Sequence, residues 1–379
     1  MENIKEILIK IRREIHRNPE LGNLEFKTSA LIEKELKKAG ITTRRVTATG
    51  VVGILKGSGK GANARCIALR GDIDALPVNE KTGKSFASCR SGIMHACGHD
   101  ANSTMVLGAA LLLARQRSKF KGTIKFIFQP NEESSDGATQ MIRAGALKGP
   151  KVDGIIGIHV YPWLKTGTVG LKYGPMMAAV DKFTVEIIGE GGHGAYPHKG
   201  KDAVVIAAQV IQALQTIVSR EINPVEPVVI TIGVIRGGEK FNILPGSVTM
   251  TGTVRTLDEK LHKAMPRMIE HKIAAITRAY GAGYRFDYEV LGGALKNNDK
   301  FVDLSACAAR NLGMKSALIT NPSMGGEDFA EYLKTVPGCF LYIGSGKAIP
   351  WHHENFDIDE NVLPKGAALL AEAVRMFLK

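Results

Sequence analysis

Long apolar runs are missing from this chain: the longest strongly apolar stretch, Met105 to Ala114, is closed by Arg115 and reaches about half of the roughly 20 residues a spanning helix needs. No membrane span is expected. Cysteine is scarce and unpaired in pattern: Cys66, Cys89, Cys97, Cys307 and Cys339 are odd in number and contain no C-x-x-C. That excludes a disulfide framework and a zinc ribbon, so each reads as a thiol. Basic runs of five to eight residues are also absent and only 6% of residues are aromatic, which argues against a nucleic-acid binder. The first residues, Met1-Glu2-Asn3-Ile4-Lys5-Glu6, carry acid and lead into an amphipathic pattern where a secretory signal would have an apolar stretch. Cytoplasmic residence is the expectation.

Present instead are globular proportions, 44% hydrophobic and 23% charged residues, which exclude disorder. A length of 379 residues suggests two domains. Lys and Arg number 50 against 37 Asp and Glu, a net charge of +13. Because the excess is scattered, it suits a field that steers a small anionic substrate inward at low salt.

Apolar residues at Ile4, Ile7, Leu8, Ile11 and Ile15 keep helical spacing, and a second helix is expected from Glu25 to Ala39, stopped by Gly40. Strand-like runs at 51–55, 66–69, 123–128 and 155–158 then alternate with helical stretches near 101–116 and 136–147, an α/β layer pattern. From Asp181 the texture changes. A strand with Phe183, Val185 and Ile187 on one face, a helix over 202–219, strands at 228–235 and 247–255, a helix near 258–280 and a strand from Tyr284 to Val290 spell a ferredoxin-like order. The α/β character resumes after Gly292-Gly293 and ends in a helix from about Leu363 to Leu378, with Pro364 in its first turn. A small domain at 179–293 is therefore expected inside a discontinuous larger one at 1–178 and 294–379.

Donor side chains collect where these strands end, which is where open α/β sheets bind ligands. Asp72 and Asp74 follow one strand, Glu132 and Glu133 another, and His159 ends a third, while Cys97 and His99 precede a helix. A lone Cys or His is more often packed in a core than bound to metal; convergence of type with position is what counts here. Cys97, His99, Glu133, His159 and one more His near the carboxyl terminus carry −2 together as ligands, against +4 from two divalent ions. The surplus would hold a bridging hydroxide and polarise a carbonyl, leaving Glu132 to act as general base.

Five segments carry a resemblance: Arg70-Gly71-Asp72-Ile73-Asp74-Ala75-Leu76-Pro77, Met94-His95-Ala96-Cys97-Gly98-His99-Asp100, Gln129-Pro130-Asn131-Glu132-Glu133, Gly191-Gly192-His193-Gly194-Ala195-Tyr196-Pro197-His198 and Gly326-Glu327-Asp328-Phe329. In this order, from His16 to His352, the chain resembles the metal-dependent aminoacylase/amidohydrolase family, which includes hippurate hydrolase, indole-acetyl amino acid hydrolases, N-acetyldiaminopimelate deacetylase and related carboxypeptidases. The resemblance implies an aminopeptidase-like catalytic domain, with a central mixed sheet flanked by helices, and an inserted ferredoxin-like lid that dimerises. It implies two divalent ions (Zn, Mn, Co or Ni) on Cys97, His99, Glu133, His159 and His352, the last preferred over His353 because it stands four residues before Phe356. Glu132 then matches the catalytic base and His193 a lid histidine that meets the reacting carbonyl, in the partner subunit's site. Asn242 and Arg255 match lid positions that bind a substrate carboxylate, Arg by a bidentate fork. Asp74 and Asp100 stand behind the ligands, Asp74 as the residue that orients a ligand imidazole. The implied partners are a small N-acyl amino acid or dipeptide and a second copy of the chain.

One departure stands out. The family writes His-Asp-x-His after Cys-Gly, and this chain reads His99-Asp100-Ala101-Asn102, which removes an imidazole and puts metal affinity in question. Asn131 also replaces the family's usual Ala. The expected reaction is amide hydrolysis of N-acyl-L-amino acids, with a dipeptidase or carboxypeptidase of the same fold, and then a non-hydrolytic binding protein, as rivals.

Overall fold

Asn3 accepts from the Lys5 amide as an N-cap, and helix α1 (Ile4–Arg17) follows with Leu8, Ile11 and Ile15 on its buried face. The computed structural model describes residues 3–59 and 65–379. Helix α2 (Phe26–Lys38) closes as the sequence predicts: Gly40 takes φ +72° and the Gly40 and Ile41 amides turn back to the carbonyls of Lys37 and Leu36.

Strands β1 (Thr42–Arg45), β2 (Val51–Lys56), β3 (Cys66–Asp72), β4 (Thr123–Gln129) and β5 (Gly154–Tyr161) join three later strands, Val169–Leu171, Ser316–Leu318 and Gly338–Gly344, in one mixed sheet. Its order is β1, β2, β4, β3, β5, Gly338–Gly344, Val169–Leu171, Ser316–Leu318. The four central strands, β4, β3, β5 and Gly338–Gly344, are mutually parallel, so their carboxyl ends open on one edge. β3 is buried at all seven positions, as expected of a central parallel strand covered on both faces.

Between β3 and β4 runs helix α3 (His99–Ala114), of which thirteen residues are buried. It is the Met105–Ala114 run that was too short for a bilayer, enclosed by protein. Gly108 is required there: a Cβ would lie 2.7 Å from that of Ala367 on the carboxyl-terminal helix Val362–Leu378. The stretch expected as a helix over 136–147 shortens to α4 (Gly137–Arg143), because Ala144 ends it and Gly145 turns left-handed at φ +84°. The unassigned text after Gly293 resolves into a helix, Asp299–Asn311, and the Gly338–Gly344 strand.

Met1–Met176, Lys296–Asn321 and Asp328–Lys379 form one compact unit; Met177–Leu295 with Pro322–Glu327 forms a second. The expected boundaries placed 322–327 in the larger unit. Instead Ser323 bridges to Met177 and the Ala178 amide donates to Gly325 O at 3.0 Å, pairings between segments too distant in sequence to be read from it.

The second unit is a four-stranded antiparallel sheet in the order Val228–Gly237, Ser247–Thr256, Ala179–Ile188, Gly283–Gly292, with helices Ala203–Thr216 and Glu259–Ala279 in the connections. This is the ferredoxin-like arrangement. The Ala203–Glu221 segment, at 19 residues, is long and apolar enough by length and composition alone to cross a membrane, a test that a core helix also meets. Gln209, Gln212 and Gln215 interrupt its run and face outward, while Ala203, Ile206, Ala207, Val210 and Leu214 form a buried stripe in this unit's core.

Candidate metal centre

Cys97, His99, Glu132, Glu133, His159 and His352 come together at the carboxyl edge of the central strands, although 255 residues separate the first from the last. The donor atoms of Cys97, His99 and His159 lie within 4.8 Å of one another, as do those of Cys97, Glu133 and His352 and those of His99, Glu132 and Glu133. Cys97, His99 and Glu133 each belong to two of these triads, so the three groups form one continuous donor cluster.

Local backbone explains how neighbours in sequence reach one site. Gly98 adopts φ +90°, which turns Cys97 and His99 toward the same space as α3 begins. A Cβ there would strike Val160 Cγ2 at 2.4 Å. Asn131 takes φ +56°, a region that Asn tolerates better than most residues, and its amide donates to Glu25 Oε1 at 3.0 Å. The turn it makes carries Glu132 and Glu133 over the end of β4. His352 is also left-handed, at φ +64°, and its amide is tied to Ala96 O at 2.8 Å, next to Cys97. His352 Nε2 stands 3.5 Å from Glu133 Oε2, whereas His353 turns its Nδ1 to accept from the Asn355 amide at 3.0 Å.

Two of the imidazoles, His159 and His99, are oriented from behind. His159 Nδ1 donates to Val160 O at 2.8 Å, which leaves Nε2 facing Cys97 Sγ at 3.6 Å. His99 Nδ1 donates to Asp74, to its carbonyl at 3.0 Å and to Oδ1 at 3.1 Å, so its Nε2 points into the cluster. Asp74 Oδ2 meanwhile accepts from the Glu133 amide at 3.0 Å, and one carboxylate thereby holds two donor residues. Asp100 is placed differently. It accepts from Arg12 Nε and His16 Nδ1, each at 2.7 Å, and pins α3 to α1 instead of contacting a donor ring. Burial alone would raise its carboxyl; Arg12 and His16 overcome that and hold it below the ordinary range.

The electrostatics fit a cation. Among the described residues, His99 Nε2 and Glu133 Oε1 are buried without a hydrogen-bond partner, an expensive state that a bound ion relieves. Burial pushes the Cys97 thiol and the Glu133 carboxyl above their usual values. Burial opposes charge on His99 as well, yet the negative field of Asp72 and Cys97 wins and raises it. Burial lowers His159 to about 4, so it is a neutral imidazole with a lone pair to give.

Asn102 is no gap in this arrangement. Its Nδ2 donates to Asp72 Oδ1 at 2.9 Å and its Oδ1 accepts from the Val160 amide at 3.0 Å, so it braces the backbone beside His159. Sequence reading also missed the layer beneath. Arg70 donates to Gln129 Oε1 at 2.8 Å, Asp72 Oδ2 at 2.5 Å and Asp328 Oδ1 at 2.8 Å, all buried. Its signal was available: an Arg inside a strand that is otherwise apolar up to Asp72 must find buried partners.

His193, Asn242 and Arg255 belong to the second unit. His193 pairs with Ile243 in a short antiparallel ladder and the Gly194 amide donates to Asn242 O at 2.8 Å, so these two are neighbours. His193 is exposed, and its Nδ1 accepts from the Ala195 amide at 3.0 Å, which assigns the proton to Nε2. Arg255 is not beside them: it lies eight residues along its strand from Ser247, about 27 Å at the usual rise. Its guanidinium donates to Thr253 Oγ1 and Val254 O.

Residues 68–376 match Peptidase family M20/M25/M40. The chain is 42% identical over 383 residues to N-acetyl-L-cysteine deacetylase of Bacillus subtilis (strain 168), covering 100% of this chain and 90% of that one. It is 44% identical over 292 residues to N-acyl-L-amino acid amidohydrolase of Geobacillus stearothermophilus, covering 76% and 78%. Among solved structures, a Bacillus subtilis protein described as a dinuclear metal-binding peptidase from the M20 family superposes with a TM-score of 0.88 at 35% identity, over 99% of this chain and 98% of that one.

Proposed function

This chain belongs to peptidase family M20/M25/M40, and from that premise we propose that it hydrolyses the amide bond of N-acyl-L-amino acids, using two divalent cations held by Cys97, His99, Glu133, His159 and His352. The observation that carries this reading is the set of overlapping donor triads that share Cys97, His99 and Glu133, with Glu132 in one of them. Sulfur and imidazole donors favour Zn, Co or Ni over magnesium and calcium, which prefer all-oxygen cages, and Mn, a harder ion, is the fourth candidate through the carboxylate donor. Cations bound there supply Lewis-acid polarisation of the acyl carbonyl and acidify water toward neutral pH.

The protein's own groups do the rest. Glu132, 9% exposed at the rim of the cluster, takes the proton of the attacking water and returns it to the leaving amine. His193, with its proton on Nε2, donates to the developing oxyanion. Asn242 and Arg255, which lie far apart on one protomer, would meet a single substrate carboxylate only when contributed by different protomers. Assembly as a homodimer or higher homo-oligomer would present the second unit's His193 to a partner's site. Cysteines Cys66, Cys89, Cys97, Cys307 and Cys339 held as thiols fit a cytoplasmic setting.

The test is release of free amino acid from N-acetyl, N-benzoyl and indole-acetyl amino acids, with aminoacyl dipeptides alongside, after reconstitution with each of the four metals. Release from the acyl substrates, abolished by a chelator, is the expected result. Turnover of dipeptides alone, or activity that survives exhaustive metal removal, would overturn it.

A further inference from the structure

Both tryptophans of the chain, Trp163 and Trp351, stand beside the donor cluster. Trp351 meets the His159 ring edge-on at 5.4 Å, and its Nε1 donates to Val160 O at 3.2 Å, which fixes the plane of the indole. Trp163 packs on Trp351 at 5.0 Å, Tyr161 touches both at 5.0 and 5.5 Å, and Tyr342 stacks on Tyr161 at 4.4 Å. Tyr161 ends β5 and Tyr342 lies on the neighbouring Gly338–Gly344 strand, paired with His159, so the rings are mounted on the same rigid strands that carry a proposed ligand.

Trp163 is 51% exposed, and an indole is left in water one ring away from a proposed ligand. The four ring side chains, Trp163, Trp351, Tyr161 and Tyr342, carry no positive charge to pair with the carboxylate of an amino acid. They offer flat apolar surface to whatever extends from the other side of the scissile carbonyl.

We propose that Trp163, Trp351 and Tyr161 form the acyl subsite and select an aryl acyl group over acetyl. This rests on the amide-hydrolysis reading above. An acetyl methyl ends at the carbonyl and reaches no ring face. A benzoyl or indole-acetyl group extends onto Trp163 and covers its exposed side, and because the rings are already positioned, little ordering is needed. A ring pair of this kind is worth about tenfold in selectivity.

The experiment compares kcat/KM for N-benzoyl and N-acetyl derivatives of one amino acid, on metal-loaded wild type, Trp163→Ala and Trp163→Phe. The benzoyl-to-acetyl ratio is expected to favour benzoyl, to fall about tenfold in Trp163→Ala through KM, and to be largely restored in Trp163→Phe. Benzoate binding gives an independent readout. In Trp351→Phe all tryptophan emission comes from Trp163, and it should shift or quench with benzoate but not with acetate. If N-acyl amino acids are hydrolysed with a ratio near one that Trp163→Ala leaves alone, the subsite is overturned and the reaction stands. If no N-acyl amino acid is hydrolysed yet Trp163 answers to benzoate, the reaction is overturned and the aryl site stands. Absence of any benzoate response overturns the subsite in either case.

Discussion

Replacing Asp74 by Asn isolates the support of the metal centre from its donors. The carboxylate serves His99 through Oδ1 and the Glu133 amide through Oδ2, at 3.1 and 3.0 Å. Asn keeps the shape but turns one acceptor into an N–H donor, so it satisfies one of these groups and opposes the other. Losing one hydrogen bond to a charged acceptor costs about 1.5–3 kcal/mol. Two effects reduce that figure. His99 retains the Asp74 carbonyl at 3.0 Å, and removing the negative charge relieves Glu133. The relief is partial, because Asp74 influences Glu133 less than burial, His99 or His352 does. A net loss of about 1.4–2 kcal/mol, or roughly 10- to 30-fold in cation affinity, is expected. Competition against a chromophoric chelator measures it, and kcat/KM at saturating cation should recover most of the wild-type value. An affinity within twofold of wild type, in a variant that loads metal and folds normally, would refute the idea that Asp74 orients the donors.

Glu132→Gln should lower kcat by at least about 100-fold while elemental analysis finds the metal content unchanged, since it removes a base and no ligand; retained turnover would remove Glu132 from that role. Asn102→Ala strands the Val160 amide and deprives Asp72 of one donor, a loss of about 2–4 kcal/mol that should appear as a lower thermal midpoint. Glu25, pushed up to about 7 by burial, gives a pH signature in the metal-free protein. Between its unfolded value near 4.5 and about 7 the native state binds more protons than the unfolded state, so this group's contribution to stability falls as pH rises through that window, by on the order of 3 kcal/mol. Urea titrations at pH 5 and pH 8 should therefore show a smaller decline in Glu25→Gln than in wild type; equal declines would exclude Glu25 as the source.

Much of this site is legible before folding because strand ends are legible. Donors placed just after apolar runs, Glu132 and Glu133 after β4 and Asp74 after β3, can be assigned to one edge of a parallel sheet from hydropathy alone. Choosing His352 over His353 required the spacing to Phe356, and the structure adds a reason local sequence does not contain: the His352 amide is tied to Ala96, 256 residues earlier. Asn102 was misleading in the other direction. Read as a missing imidazole, it suggested a weakened site, yet both ends of its amide are satisfied by Asp72 and Val160. The Gly338–Gly344 strand stayed unassigned for a similar reason, since Gly338, Gly344 and Cys339 give little strand propensity and β5 beside it supplies the pairing.

The sequence by itself determined the layer architecture, the insertion of a ferredoxin-like unit, the thiol state of the cysteines and the kinds of donor available, because hydropathy period and residue chemistry are local properties. Only the tertiary structure decided which donors share a triad, that Asp74 holds two of them while Asp100 holds none, that Pro322–Glu327 packs with the second unit, and that Trp351 packs against His159. Each of these is a pairing between residues tens to hundreds of positions apart, and such pairings are set by strand order and by the packing of α3 against the sheet.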